Sequence, residues 1–126
     1  MEVTFEDNGS PLKKSKNRHG ETCEEQLRRM CKNIADSITN PVDNSEHGEQ
    51  ASVASWMDGV YDIEWITFQK GTYKAARLLV AGGGPNIWVN LQTNTVDGYW
   101  GCDEVNHRFV DNIGLDEYLE ELHACA

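Results

Sequence analysis

The sequence contains no long apolar run and no cysteine pair of the C-x-x-C type. None of its apolar stretches approaches the roughly 20 residues that span a bilayer. Residues 1 to 16 are polar and charged, whereas a secretory signal carries an apolar stretch. We therefore expect neither a membrane-spanning segment nor secretion through an ordinary signal peptide.

The four cysteines, Cys23, Cys31, Cys102 and Cys125, have no metal-binding spacing. If Cys23 and Cys31 lie on one helix, about 12 Å separates them, because each residue adds ~1.5 Å. A disulfide spans at most ~7 Å between Cα atoms, so these two would not bond to each other. Reduced thiols in a cytoplasmic protein are the simplest interpretation. A bond from either of them to Cys102 or Cys125 remains the alternative.

Basic residues are scarce after residue 32. Residues 33 to 126 contain four Lys or Arg and fifteen Asp or Glu, a net charge of −11, whereas the first 32 residues are close to neutral. A region with this much negative charge repels phosphate groups, so residues 33 to 126 are not expected to bind nucleic acids directly or to bind anionic membranes. We expect a protein partner with a basic surface.

The length of 126 residues fits one domain, and four Trp, four Tyr and three Phe are enough aromatic residues for a folded core. Residues 1 to 20 are rich in Lys, Asn, Ser and Gly, which predicts a flexible leader. Within it, Val3 and Phe5 alternate with polar residues, a pattern that would suit an edge strand. Residues 21 to 126 form the predicted single domain.

Two amphipathic helices are predicted, one near each end of this domain. Thr22 and Glu25 have the spacing of a capping box, which predicts a helix from there to Asn40-Pro41. Glu24 with Arg28, and Glu25 with Arg29, are expected ion pairs. The expected apolar stripe of the first helix consists of Leu27, Met30, Cys31, Ile34, Ala35 and Ile38. That of the second consists of Leu115, Tyr118, Leu119, Leu122 and Cys125.

Alternating patterns between the helices predict strands. Residues 41 to 50 are predicted as a polar loop and residues 51 to 58 as a short helix that ends at Gly59. Strands are then expected over residues 60–65, 72–81, 87–91, 96–100 and 105–110. Short turns require antiparallel pairing. The predicted fold is α+β, an antiparallel meander sheet of four or five strands with the N-terminal and C-terminal helices packed on one face.

Acidic residues and one tryptophan are the candidate partner-binding residues. Trp88 alternates with Ile87 and Val89, so it would anchor a partner if one sheet face is uncovered; a sheet buried on both faces is the alternative. Asp62 and Glu64 share a strand face, and Asp97 points away from Val96. The full predicted set is Asp58, Asp62, Glu64, Trp88, Asp97, Asp103, Glu104, Glu117, Glu120 and Glu121.

No catalytic residue, metal or cofactor is predicted. The glycines at 82 to 84 lack the Lys and Ser or Thr of a phosphate loop. A calcium loop starting at Asp43 would have Ala54 at its twelfth position, where a Glu is required. Cys102 and His107 are the nearest candidates for a nucleophile and its base, and we expect Cys102 to be structural.

Three segments carry a resemblance: Gly83-Gly84-Pro85-Asn86-Ile87-Trp88-Val89, the stretch from Thr95 to Gly101, and the acidic end from Leu115 to Leu122. Together they resemble small acidic accessory proteins of bacterial mobile elements and phages. Some such proteins inhibit restriction or CRISPR systems by imitating the charge of DNA, and the resemblance implies that role by analogy.

Three hypotheses follow, in order of preference. The first is a non-enzymatic inhibitor that occupies the basic groove of a nucleic-acid-binding defence protein. The second is a protein-interaction module that uses an exposed sheet face and Trp88. The third is a thiol-dependent enzyme built around Cys102 and His107.

Overall fold

Five consecutive strands form one antiparallel sheet in a computed structural model of the chain, which describes residues 20–41, 43–44, 49–50 and 53–125. The predictions for residues 1 to 19, including the strand at Val3 and Phe5, lie outside the described residues. The elements in chain order are α1 (Cys23–Thr39), β1 (Asp43–Asn44), β2 (Glu49–Gln50), α2 (Val53–Met57), β3 (Asp62–Thr67), β4 (Tyr73–Ala81), β5 (Asn86–Asn90), β6 (Thr95–Trp100), β7 (Asp103–Arg108) and α3 (Leu115–Cys125).

The order of the sheet is β3-β4-β5-β6-β7, which confirms the predicted α+β meander. Each strand pairs with the next through a short turn, such as the one that Gly71 closes with a φ of 90°. The last strand begins at Asp103, two residues before its predicted start, because Asp103 pairs with Trp100 across the turn. The predicted polar loop at 41–50 contains the small antiparallel pair β1 and β2, a feature that its composition did not reveal.

The capping box of α1 is confirmed. Thr22 Oγ1 accepts from the Glu25 N–H at 3.2 Å, and Glu25 Oε1 accepts from the Thr22 N–H at 2.8 Å. Because this carboxylate serves the cap, the predicted pair of Glu25 with Arg29 is wrong, and Arg29 instead bonds Glu21 at 2.8 and 2.9 Å. The other predicted pair, between Glu24 and Arg28, is present at 3.1 Å.

The helix α1 packs on β6 and β7. Its buried face consists of Leu27, Cys31, Ala35 and Ile38, while Ile34 is only partly buried, so the helix is rotated from the predicted stripe. Gly98 on β6 permits this close packing. A Cβ atom there would lie 2.6 Å from Cys31 Sγ and 2.8 Å from Leu27 Cδ1.

The helix α3 packs on β4, on the same sheet face as α1. Leu115 and Leu119 are buried, but Leu122 and Cys125 are exposed, so the apolar face is narrower than predicted. Its first turn is fixed by Asp111, whose carboxylate accepts from the backbone N–H groups of residues 114, 115 and 116 at 2.9 to 3.0 Å. None of the helices in the described ranges is long and apolar enough to cross a membrane.

Candidate functional site

One face of the sheet is left uncovered by the two long helices. Side chains alternate along each strand, so Val96 and Gly98 face the helices while Asp97 and Tyr99 face the other way. The strand register then places one row of side chains across all five strands on this open face. The row consists of Asp62, Leu79, Trp88, Asp97 and Asn106.

Trp88 lies on this open face, where its side chain is half-buried and not fully exposed. The guanidinium carbon of Arg77 lies 4.4 Å from the centroid of the Trp88 ring, a cation–π distance. Arg77 Nη1 also lies 2.7 Å from Glu64 Oε1. Two predicted partner-binding residues, Glu64 and Trp88, are thus engaged by the same arginine.

Asp97 is 8% exposed and is therefore not a surface charge. Its Oδ1 accepts a hydrogen bond from Asn106 Nδ2 at 2.8 Å. Burial raises the pKa of the Cys31 thiol to about 11, and the negative charge of Asp97 adds to that effect. Burial and the charge of Asp97 also raise the pKa of Tyr99.

A groove of about 620 Å³ runs beside β3, at the edge of the sheet. It lies between this strand, α2 and α3, and α2 is anchored to α1 by a 3.0 Å hydrogen bond from Trp56 Nε1 to Ser37 Oγ. We call it the β3 groove. Its lining consists of Ala54, Met57, Asp58, Val60, Tyr61, Asp62, Ile63, Trp65 and Tyr118.

A second, smaller groove of about 260 Å³ shares Tyr118 with the β3 groove and is lined by Glu117 and Glu121 on α3. Asp58 and Asp62 line the larger groove, so four of the predicted acidic residues line two grooves that share Tyr118. All four acids are exposed. Among the described residues, no Lys or Arg lines either groove. We call Asp58, Asp62, Glu117 and Glu121 the acidic margin.

The other predicted acids lie elsewhere. Glu120 is on the opposite flank of α3, in a groove with Tyr73 and His123. Asp103 and Glu104 are on β7, which is four strands away from β3, and Glu104 lies opposite Tyr99 on the open face. The ten predicted residues therefore divide among the acidic margin, the open face and the separate positions of Asp103 and Glu120.

Three aromatic residues of the β3 groove, Tyr61, Trp65 and Tyr118, are not among the predicted partner-binding residues. Tyr118 was assigned to the core stripe of the last helix, but it is only half-buried. Tyr61 falls within the strand predicted over residues 60–65, yet it is 75% exposed and precedes the strand observed from Asp62. The nearby Gly59, which ends the short helix, was the only available signal that the chain changes direction here.

Cys102 and His107 are not brought together. Cys102 is in the turn before β7 and His107 is near the end of that strand, about 16 Å away at ~3.3 Å per residue. His107 Nδ1 lies 3.0 Å from the carbonyl oxygen of Arg108. All four cysteines have free thiols. Within the part of the chain that the structure describes, no three His, Cys, Asp or Glu residues are grouped as metal ligands would be.

Comparison of the chain with protein-family models, with curated proteins and with solved structures finds no match.

Proposed function

We propose that this chain is a non-enzymatic protein-binding domain that holds a basic segment of a partner protein at the acidic margin. The observation that carries the proposal is that Asp58, Asp62, Glu117 and Glu121 line two grooves that share Tyr118. These four residues come from two separate parts of the sequence, 58–62 and 117–121. The grooves that they line also contain apolar and aromatic side chains.

The two kinds of group have complementary roles in binding. Exposed carboxylates accelerate and orient the approach of a positively charged partner, and salt weakens that attraction. Aromatic side chains in a groove, here Trp65 and Tyr118, supply the contact area that determines how long a partner stays. The net charge of −11 over residues 33 to 126 also attracts a positively charged partner.

A nucleic-acid-binding protein is the partner class to test first, because its function requires a basic surface. Occupying that surface would prevent it from binding DNA or RNA, so the domain would act as an inhibitor. The acidic margin competes for Lys and Arg side chains as phosphates do. Such inhibition needs neither a catalytic group nor a cofactor.

The experiment is capture of partners from a bacterial lysate on the immobilised chain, at low and at high salt. The double variant Glu117→Gln/Glu121→Gln removes two charges from the acidic margin. The matched control, Glu104→Gln/Glu120→Gln, removes two exposed charges outside it. We expect a basic protein that is retained at low salt, released at high salt, lost by the first variant and kept by the control. Added DNA should compete for the captured protein.

Equal loss from both double variants would show that only net charge matters and would contradict a defined site. A salt-resistant partner that is lost on Trp88→Ala would instead favour the second candidate, an interaction module on the open face. The observation behind that candidate is that the Trp88 ring remains half-exposed on the uncovered side of the sheet.

A further inference from the structure

The outer edge of β3 carries backbone groups that the sheet does not use. In an antiparallel ladder, every second residue directs its N–H and C=O away from its neighbour. The N–H of Ile63 donates to the carboxylate of its own neighbour, Asp62 Oδ1, at 2.9 Å. This bond marks Ile63 as an outward-facing residue, and Trp65, two positions on, faces the same way. In the described part of the chain, no strand pairs with this edge.

The same two residues direct their side chains into the β3 groove. Glu64 lies between them in the strand and Asp62 precedes them, and both side chains leave the strand on the side of the open face. There Glu64 bonds Arg77, while the Asp62 carboxylate reaches the Ile63 N–H at the outer edge. A strand added beside β3 would follow this alternation. Every second side chain would enter the groove, and the intervening ones would lie beside Asp62 and Glu64.

We infer that β3 accepts an extended segment of the partner protein as a sixth strand of the sheet. This inference rests on the proposed function and adds how the partner is held. The segment alternates apolar residues, which enter the β3 groove, with Lys or Arg, which pair with Asp62 and Glu64. Main-chain hydrogen bonds to Ile63 and Trp65 supply affinity, and the alternating side chains supply specificity. The groove volume of about 620 Å³ lies within the usual range for binding sites, roughly 300 to 1,000 Å³.

Charge and side-chain pattern favour this occupant over two others. A second copy of the chain, paired edge to edge through β3, would place two acidic margins against each other. In the chain itself, the segment around Val3 and Phe5 alternates apolar residues but is flanked by Glu2, Glu6 and Asp7, whereas residues 13 to 18 are basic but contain no apolar residue for the groove. A basic segment is complementary.

Asp62 also protects the outer edge of β3 from unspecific strand pairing. Its carboxylate bonds the Ile63 N–H, and charged residues on edge strands discourage unspecific pairing. An incoming Lys or Arg draws the carboxylate to itself and releases that N–H for the new strand. A neutral apolar strand provides no such exchange.

The test uses short peptides that alternate Lys with Val and Tyr, capped at both ends, and titrated onto the full chain. One version carries backbone N-methyl groups on the apolar residues and another carries them on the lysines, so composition and charge are matched. Only one set of N–H groups faces β3, the apolar set in antiparallel pairing and the lysine set in parallel pairing. We expect the two methylated peptides to differ in Kd by at least about tenfold, because several main-chain hydrogen bonds are lost in one of them.

Amide hydrogen exchange provides the second readout. Saturating unmethylated peptide should slow exchange at Ile63 and Trp65 at least about tenfold and leave Glu64, which already pairs with β4, unchanged. Equal affinity of the two methylated peptides, or no change at these amides, would overturn strand addition. The proposed function would still stand if binding remained sensitive to Glu117→Gln/Glu121→Gln.

Failure of the unmethylated peptide to bind, while a basic lysate protein binds the acidic margin, would also overturn the inference alone. Amide hydrogen exchange of the chain without peptide tests the two alternative occupants of the β3 edge, a second copy and a segment of the chain itself. Protection of Ile63 and Trp65 that grows with protein concentration would identify a second copy. Protection independent of concentration would identify a segment of the chain itself. Either result would overturn the inference.

Discussion

The guanidinium of Arg77 lies between the Trp88 ring and the Glu64 carboxylate, 4.4 Å from the ring centroid and 2.7 Å from Glu64 Oε1. These three residues belong to β5, β4 and β3, so one basic side chain connects three neighbouring strands on the open face. The guanidinium itself covers part of the Trp88 ring. This contact contributes to the partial burial of Trp88, which none of the described helices covers.

Arg77→Ala should lower the free energy of unfolding by about 1 kcal/mol. The loss combines a cation–π contact and a partly exposed ion pair, each typically below ~1 kcal/mol. Urea unfolding of the variant measures it. Arg108→Ala is the matched control, because Arg108 is also a strand arginine but is exposed on the edge strand β7, and it should change stability by less than about 0.5 kcal/mol. Equal losses in the two variants would contradict the stacked arrangement.

Gly98→Ala should destabilise the domain by about 1 to 3 kcal/mol, because the new methyl group would overlap Cys31 and Leu27 of α1. Gly82→Ala is the control, since its nearest neighbours lie at ordinary distances of 3.6 and 3.7 Å. Thermal or urea unfolding compares the two. Unchanged stability of Gly98→Ala would mean that α1 can move away from β6 without cost.

Tyr73 connects β4 to α3, since its hydroxyl donates to Asp116 Oδ1 at 2.7 Å. Burial, with this hydrogen bond and the negative charge of Asp116, raises the pKa of Tyr73. Tyr73→Phe should therefore cost about 1 kcal/mol. In a double-mutant cycle with Asp116→Ala, which removes the acceptor, most of the loss from Tyr73→Phe should be shared between the two substitutions. The control is Tyr99→Phe, which removes a hydroxyl from the open face and should lower the free energy of unfolding by less. A double-mutant cycle with no coupling energy would contradict the hydrogen bond between Tyr73 and Asp116.

The elements of this fold are predictable because their signals are local. The Thr22 capping box, the alternation around Ile63 and the turn at Gly71 each depend on residues within a few positions of one another. The rotation of α1, which buries Ala35 more than Ile34, depends on the absence of a side chain at Gly98, far away in sequence.

The candidate site was predicted less well, for the same reason. The acidic residues were identified as a class, but their grouping depends on where α2 and α3 approach β3. Asp97 shows the limit most clearly. Its strand position predicts the correct face, yet its burial depends on packing with neighbouring strands such as β7, which supplies Asn106. The alternation of residues along one strand shows which face of the sheet a side chain is on, but it does not show how exposed that side chain is.

Cys31 predicts how stability depends on alkaline pH. Burial, reinforced by the charge of Asp97, raises the pKa of its thiol from 9.0 to about 11. The folded state thus retains a proton that the unfolded state loses from about pH 9 upward. The protonated Cys31 thiol therefore contributes its full stabilisation below pH 9, and this stabilisation is lost as the pH rises to 11. A shift of two pKa units corresponds to a loss of about 2 to 3 kcal/mol in the free energy of unfolding.

Urea unfolding of the chain and of Cys31→Ala, between pH 7 and pH 11, isolates this contribution. The difference between the two proteins cancels the contributions of other groups to the pH dependence of stability, such as Tyr73, whose pKa is also raised in the folded state. We expect Cys31→Ala to be less stable at neutral pH, because a buried atom is lost, and to lose less stability than the parent chain above pH 9. A constant difference across the whole range would mean that the Cys31 thiol titrates normally. That result would require water to reach the interface between α1 and β6, where Cys31 is fully buried.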